Sequence, residues 1–168
     1  MATAICVLSG NLSAFGVVVF KSDVNGCVTL KGEFTGLTPG KHGLHIHTFG
    51  DLTNDWISAG SHYNPNNEIH GGPQENKRHA GDLGNVDVNE DGFAKLDLAI
   101  QHFHLTGIHS VIGRTLMIHQ NEDDLGKAEN EESLATGNAG AGLAWGVIGI
   151  CQSNISEEAL EEKFNQIN

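Results

Sequence analysis

Two histidines flank a single isoleucine in the segment KHGLHIHT, and this spacing is the first chemical feature of the chain. In a β-strand, residues i and i+2 face the same way, so His45 and His47 would project together. Two imidazoles on one face suit a transition metal. The spacing alone is a weak signal, because QHFHL repeats it at His102 and His104 without a histidine-bearing loop nearby. We interpret these two, and His109 in GIHSV, as surface strand residues.

Partners for His45 and His47 occur in one long polar segment and at the end of a later strand. Three histidines and an aspartate fit a tetrahedral zinc site, and three or four histidines fit copper. Seven candidate ligands exceed the needs of one site, so the sequence predicts two metal ions. The five candidates beyond the first pair are His62, His70, His79, Asp82 and His119.

The elements that would position these residues are short strands. Segments rich in β-branched residues alternate with glycine turns at intervals of about ten residues, and Asn25-Gly26 is a hairpin-turn dipeptide. This pattern predicts an all-β sandwich or barrel. Two long segments, 50–83 and 121–142, interrupt the strands, and loops of this length inside a domain are usually functional.

The last residues have a different pattern from the barrel. We expect the barrel domain to cover residues 1–153 and a helical tail to cover 154–168. Ser156 is a suitable N-cap, and Leu160 and Phe164 lie at helical i, i+4 spacing. A helix of this length is marginal alone, so we expect it to pack as a flap on the barrel end.

The composition excludes several classes of partner. The formal net charge is −12, which argues against nucleic acid and against anionic membranes. MATAICVLSG has neither a basic region nor a long apolar core, and no apolar run could span a bilayer, so we expect a cytoplasmic protein. Three cysteines without a CxxC pair, Cys6, Cys27 and Cys151, are expected to be free thiols.

Several motifs together resemble the copper/zinc superoxide dismutases: GLHIHTFGD, SAGSHYNP, HGGP, RHAGDLGNV, IGRTLMIHQNEDDLGK, NEES and TGNAGAGLAWGVIGI. The similarity runs in order from about residue 2 to residue 152, nearly without gaps. It implies an eight-stranded Greek-key β-barrel, an immunoglobulin-like sandwich with two long functional loops.

The resemblance also implies a role for each candidate ligand. His62 would bridge the two metals, and Asp123 would hydrogen-bond one copper histidine and one zinc histidine, which fixes their tautomers. The implied copper ligands are His45, His47, His62 and His119. The implied zinc ligands are His62, His70, His79 and Asp82.

The activity that the resemblance implies is dismutation of superoxide to oxygen and hydrogen peroxide. Copper would take an electron from one superoxide anion and give it to the next. His62 would be the catalytic side chain, because its copper-side nitrogen can be released, take a proton and supply it to the product. Zinc has no redox chemistry and would hold the loop and His62 in place.

The chain departs from the family at the residues that attract the anion. The family has an arginine where this chain has Gly142, and a lysine where it has Ala135. Asn121 is also neutral, and Lys127 is the only cation left in the second long segment. Electrostatic focusing can raise an anion's association rate about 10–1000-fold. We therefore expect metal binding with impaired dismutase activity.

A second departure concerns the intrasubunit disulfide of the family. Its two cysteine positions are occupied here by Trp56 and Trp145, the only tryptophans in the chain. Such a disulfide contributes about 2–4 kcal/mol, whereas an aromatic pair contributes about 0.5–1.5 kcal/mol beyond its buried area. Our hypothesis is that Trp56 packs on Trp145 and fixes the first long loop. The alternative is that each indole fills its own local space.

The resemblance also predicts a twofold homodimer and leaves two alternative functions open. The first alternative is a metal-binding pseudoenzyme. The second is an interaction domain like that of a copper chaperone, which is weaker because no copper-carrying CxxC domain precedes the barrel. A copper chaperone is also a possible partner. The residues that match the family's dimer contact are Phe49, Gly50, Ile112, Gly113, Val147, Gly149 and Ile150.

Overall fold

Antiparallel strands dominate the part of the chain that the structure describes. The computed structural model describes residues 1–10, 13–152 and 162. The strands are β1 (Thr3–Gly10), β2 (Phe15–Ser22), β3 (Val28–Thr35), β4 (Gly40–His47), β5 (Thr53–Trp56), β6 (Asp82–Val88), β7 (Ala94–Ile100), β8 (Thr115–His119), β9 (Gly142–Val147) and β10 (Gly149–Ile150). A 3-10 helix spans Ile57–Ala59, and the helix α1 spans Glu131–Thr136.

Eight of these strands form a nearly closed barrel. Their order is β6-β4-β8-β9-β1-β2-β3-β7, and β10 pairs with β1. The two end strands, β6 and β7, are joined by a tight turn in which Gly92 N donates to Asn89 O at 3.0 Å. The connections from β3 to β4 and from β7 to β8 link strands that are not neighbours, as in a Greek key. The predicted eight-stranded all-β barrel is confirmed.

The strands β4 and β8 are buried on both faces. Side chains alternate along a strand, so Leu44 and Ile46 enter the barrel core while His45 and His47 lie on the outer face. The same alternation in β8 places His119 on the outer face, only 4% exposed. An outer face this well buried needs a cover, and two long loops supply it.

The first long loop, residues 48–81, runs from β4 to β6, and the second, residues 120–141, runs from β8 to β9. Tyr63 N donates to Ile46 O at 2.7 Å, which ties the first loop to the edge of β4. His70 N donates to Leu134 O at 2.9 Å, which ties the two loops together. Both loops are therefore held over the outer face of the barrel by backbone hydrogen bonds.

Several local predictions need correction or stay open. β7 ends at Ile100, so His102, His104 and His109 lie in the following loop, and their interpretation as strand residues was wrong. The helix α1 lies inside a predicted loop, because six residues are too few for a readable helical period. The predicted helix over 154–168 lies outside the described residues apart from Glu162, so the domain boundary stays a prediction. No described helix has the length and apolarity to cross a bilayer.

Candidate metal centre

Four buried imidazoles meet on the outer face of the barrel, and we call His45, His47, His62 and His119 the four-histidine cluster. One ligand nitrogen from each lies within 4.8 Å of the others. Two members come from β4, one ends β8, and His62 enters from the first long loop. His62 is positioned by the backbone, since it forms a bridge with His47 and Thr48 N donates to Ser61 O at 2.9 Å.

Hydrogen bonds on the far side of each ring fix which nitrogen faces the centre of this cluster. His47 Nδ1 donates to Gly60 O at 2.7 Å, and His119 Nδ1 donates to Gly140 O at 2.9 Å. Each neutral ring then has an unprotonated Nε2, and these two nitrogens lie 3.2 Å apart. His45 Nδ1 is buried with no hydrogen-bond partner among the described residues. A cluster of inward lone pairs fits a transition-metal ion.

A second cluster forms around one carboxylate oxygen, and we call His62, His70, His79 and Asp82 the aspartate cluster. Asp82 Oδ1 lies 2.9 Å from His62 Nδ1, 3.0 Å from His70 Nδ1 and 3.3 Å from His79 Nδ1. Its other oxygen accepts from the backbone N–H groups of Gly71 and His79, which fixes the carboxylate plane. Three nitrogens from the first long loop and one oxygen from the first residue of β6 fit a tetrahedral zinc site.

The ligand sets overlap at His62 and also approach each other at His45. A group of ligand atoms within 4.8 Å of one another contains His45, His62, His70 and Asp82, without His79. His70 Nδ1 is 3.0 Å from Asp82 Oδ1 but makes no hydrogen bond with any described residue. The two atoms are therefore close without being aligned on each other, as expected for atoms that face a common point between them.

Asp123 joins the two clusters from behind. Its Oδ2 accepts from His45 Nε2 at 2.8 Å, and its Oδ1 accepts from His70 Nε2 at 2.7 Å. The side chain of Asn85 brackets the backbone of Asp123, because it accepts from Asp123 N at 2.7 Å and donates to Asp123 O at 2.9 Å. A Cβ at Gly137 would lie 1.9 Å from Asp123 Oδ1, so only glycine fits there.

Burial and pairing set the protonation states of the clusters. Burial lowers the pKa of His47 to about 3 and that of His119 to about 4, and it also lowers the pKa of His45 and His62. Burial opposes protonation of His70 too, but its hydrogen bond to Asp123 and the nearby Asp82 carboxylate outweigh burial and raise its pKa to about 9. The imidazoles of the four-histidine cluster are therefore neutral at pH 7, the form in which histidine binds metal, whereas His70 carries a proton that a bound metal would displace.

Hydrogen bonds hold the Asp82 carboxylate in its ionised form. Burial alone would raise its pKa, but the close imidazoles of His62, His70 and His79 hold the pKa well below its usual range. An ionised carboxylate among histidines is the anionic ligand that a divalent ion needs.

Two positioning residues were missed by the sequence reasoning. His42 is 2% exposed, with Nδ1 2.7 Å from His119 O and Nε2 2.9 Å from Thr38 O. Arg114 donates to Thr48 O at 2.7 Å, and its guanidinium lies 3.7 Å from the Tyr63 ring centroid. His42 lies an odd number of residues from His45, which would place it on the other face of the strand, but its partners are distant in sequence and gave no signal.

The two tryptophans do not pair as a stacked couple. No ring contact joins Trp56 to Trp145 within residues 13–152 of the structure. Trp56 instead lies against Gly142, where an added Cβ would be 2.9 Å from Trp56 Cγ. How the two indoles together fix the first long loop stays a prediction.

The residues that match a dimer contact lie close together on one side of the barrel. A Cβ at Gly50 would lie 2.2 Å from Gly113 O and 3.3 Å from Val147 Cγ1. Phe49 is 58% exposed and Ile150 is 83% exposed, whereas Ile112 is partly buried against the core. Gly149 pairs with Ile5 at the edge of β1. The described chain therefore exposes an apolar surface next to the first long loop.

The fold and the two clusters define a β-barrel with adjoining histidine-rich sites that could hold a pair of metal ions. The sequence matches the family profile of copper/zinc superoxide dismutase over residues 14–148. It is 51% identical over 151 residues to superoxide dismutase [Cu-Zn] A of Xenopus laevis, and the match covers 90% of this chain and 99% of the relative. The chain therefore belongs to the copper/zinc superoxide dismutase family.

Proposed function

We propose that this protein catalyses dismutation of superoxide to oxygen and hydrogen peroxide, with lower efficiency than a site that carries a guiding cation. Copper is assigned to the four-histidine cluster and zinc to the aspartate cluster. We assign His79 rather than His45 to zinc, because His45 is also one of the four histidines and turns its Nε2 to Asp123. His79 Nδ1 lies 3.4 Å from His62 Nδ1, within reach of the same ion.

The observation that carries this proposal is the position of His62 in both clusters. Its Nδ1 is 2.9 Å from Asp82 Oδ1, while its ring centroid is 3.9 Å from that of His45. One imidazole can therefore hold an ion on each side. When bound, copper supplies one-electron oxidation and reduction, and zinc supplies a fixed positive charge. His62 can hold a proton at Nε2 whenever that nitrogen is free and donate it to the product.

The expectation of reduced efficiency comes from the charges around the copper position. Gly142 offers no side chain, and Lys127 is the only cation in residues 121–142. The whole chain carries a formal charge of −12, so the average field repels an anion. Loss of focusing accounts for a decrease of about 10–1000-fold in association rate. A metal-binding pseudoenzyme is the second candidate, and the same missing cation favours it.

We also propose a cytoplasmic homodimer; the family is generally dimeric, and the exposed apolar side chains of Phe49, Val147 and Ile150 support this proposal, because a partner would remove them from water. The cytoplasmic proposal is supported by three free cysteines, which suit a reducing compartment. Delivery of copper by a chaperone stays a prediction.

The direct test is metal analysis combined with superoxide decay after pulse radiolysis. We expect copper and zinc in the loaded parent protein, and turnover that His62→Gln abolishes. His104→Gln is the matched control, because His104 has the same two-residue spacing from His102 but is exposed in a loop. If the protein is supplied with both metals and retains no copper, only the pseudoenzyme function remains. Turnover near the diffusion limit would refute the reduced efficiency.

A further inference from the structure

Gly142 is closely packed and lies beside the four-histidine cluster. This residue lies opposite His119 in the β8–β9 ladder, one residue past a register shift. An added Cβ would lie 2.9 Å from Met117 Sδ, 2.9 Å from Trp56 Cγ and 3.0 Å from Trp56 Cβ. Met117 is fully buried, and the two tryptophan atoms are those nearest its backbone. The two tryptophan atoms cannot yield by turning the end of a flexible side chain, whereas the buried Met117 thioether can move only by repacking its neighbours.

Hydrogen bonds in the segment around Trp56 restrain its backbone, so the Cβ of Trp56 keeps its place beside Gly142. Trp56 is the N-cap residue just before the 3-10 helix, and the preceding Asp55 has a φ of 50°, in the left-handed region. Ser58 Oγ donates to Asp51 O at 2.9 Å and accepts from Asn54 N at 3.0 Å, which closes this part of the loop on itself.

Two contacts fix the same loop segment against the four-histidine cluster. Gly60 O accepts from His47 Nδ1 at 2.7 Å, and Trp56 lies against Gly142, the ladder partner of His119. The indole therefore lies at the edge of this cluster, in the space through which any side chain at position 142 would leave β9.

We propose that Trp56 is a specificity-determining residue that acts with Gly142 as a complementary pair. The indole fills the space of a side chain at 142, so this side of the copper position is apolar and excludes a cation. Copper then binds small anions weakly, since no positive side chain lies beside them. The inference rests on the proposed copper assignment for its ligand chemistry, but its packing part does not depend on copper.

Pairing of Trp56 with Gly142 predicts a result that the absence of a cation alone does not predict. If Gly142 were merely an open position, Gly142→Arg would restore anion binding. In this structure the arginine must first displace Trp56, so the single substitution should destabilise the loop without adding affinity. Removal of the indole should make the same arginine acceptable, which is a coupling between two sites in contact.

The packing test is thermal unfolding of the zinc-loaded full chain. Gly142→Ala adds only a Cβ and should lower the unfolding midpoint by about 3–10 °C, as overpacking in a domain of this size does. In a Trp56→Ala background the same Gly142→Ala change should lower the midpoint by clearly less, because the Trp56 Cγ contact is gone while the contacts with Met117 Sδ and with the Cβ of residue 56 remain. Trp145→Ala is the matched control, and in that background the full penalty should remain.

The ligand test is the dissociation constant of azide for the copper-loaded protein, read from the azide-to-copper absorption band. Gly142→Arg should leave it within about twofold of the parent, whereas Trp56→Ala with Gly142→Arg should tighten it roughly tenfold or more. Trp145→Ala with Gly142→Arg should not tighten it.

Two results would overturn the inference: a Gly142→Ala penalty that is the same with and without Trp56, or tight azide binding by Gly142→Arg alone. A parent protein that takes up no copper would refute the proposed function instead, while the unfolding measurements would still decide whether Trp56 and Gly142 form a pair.

Discussion

Replacing Asp123 with asparagine should weaken zinc binding more than copper binding. The carboxylate is 1% exposed and accepts from His45 Nε2 at 2.8 Å and His70 Nε2 at 2.7 Å. Both bonds keep a proton on Nε2 and turn Nδ1 towards the metal position. An amide has only one acceptor oxygen, so Asp123→Asn must present its NH₂ group to one of the two donors.

The expected size of the effect follows from these contacts. A hydrogen bond to a charged group contributes about 1.5–3 kcal/mol, and losing such a partner typically weakens metal binding about 10–100-fold. His45 is held by the β4 ladder, whereas His70 lies on the first long loop and depends more on its side-chain partners. We therefore expect zinc affinity to decrease about 10–100-fold and copper affinity to decrease less.

Competitive titration with a chromophoric zinc chelator would measure this difference. Asp124→Asn is the matched control, because Asp124 accepts from Ser133 Oγ at 2.8 Å and from Gly126 N at 2.8 Å in the same loop, with no hydrogen bond to a described histidine. Zinc affinity that is unchanged in Asp123→Asn, or equally weakened in Asp124→Asn, would refute the role assigned to the bridge.

Three further predictions concern stability, pH and assembly. His42→Phe removes the hydrogen bonds of Nδ1 to His119 O and of Nε2 with Thr38 and should lower the free energy of unfolding by about 2–4 kcal/mol in urea, whereas the exposed His104→Phe should have little effect. Burial and then the Arg78 guanidinium lower the pKa of His102 to about 4, so neutral His102 stabilises the fold fully above pH 6.5 and this contribution is lost as the pH falls towards 4. His102→Gln should therefore flatten the loss of stability of the metal-free protein between pH 6.5 and 4, and equal slopes would contradict this. Val147→Asp with Ile150→Asp should give a monomer in sedimentation, whereas Ile108→Asp, at an isoleucine 89% exposed elsewhere, should not.

The strands were predictable from sequence because their signals are local. β-branched residues are frequent in β1 to β4 and glycines occur near the turns between them, and the alternation rule correctly placed His45 and His47 on one face. The loop after β7 was not predictable in this way, since FHL continues an alternating pattern past Ile100. Its course depends on backbone bonds such as His104 N to His109 O at 3.1 Å, which no local pattern announces.

The clusters were predictable only in part, for the same reason. The number and spacing of the histidines suggested metal binding, and the family resemblance suggested which residues converge. The residues that position the ligands are distant from them in sequence. Asn85 hydrogen-bonds the backbone of Asp123 across 38 positions, and His42 hydrogen-bonds His119 O across 77. Contacts of this kind are set by the closure of the barrel, and a single sequence does not contain them in readable form.

The departures from the family occur where backbone geometry does not constrain the ligands. Ligand positions are set by strand alternation, by carbonyls such as Gly60 O and Gly140 O, and by Asp123, none of which involves the side chain at 142. Trp56 and Gly142 instead shape the space beside the cluster. A chain can therefore keep both clusters in place while it changes which small molecules reach them. On this argument, metal affinity and anion affinity should vary independently among variants at positions 56 and 142, whereas variants of Asp123 should alter metal affinity first.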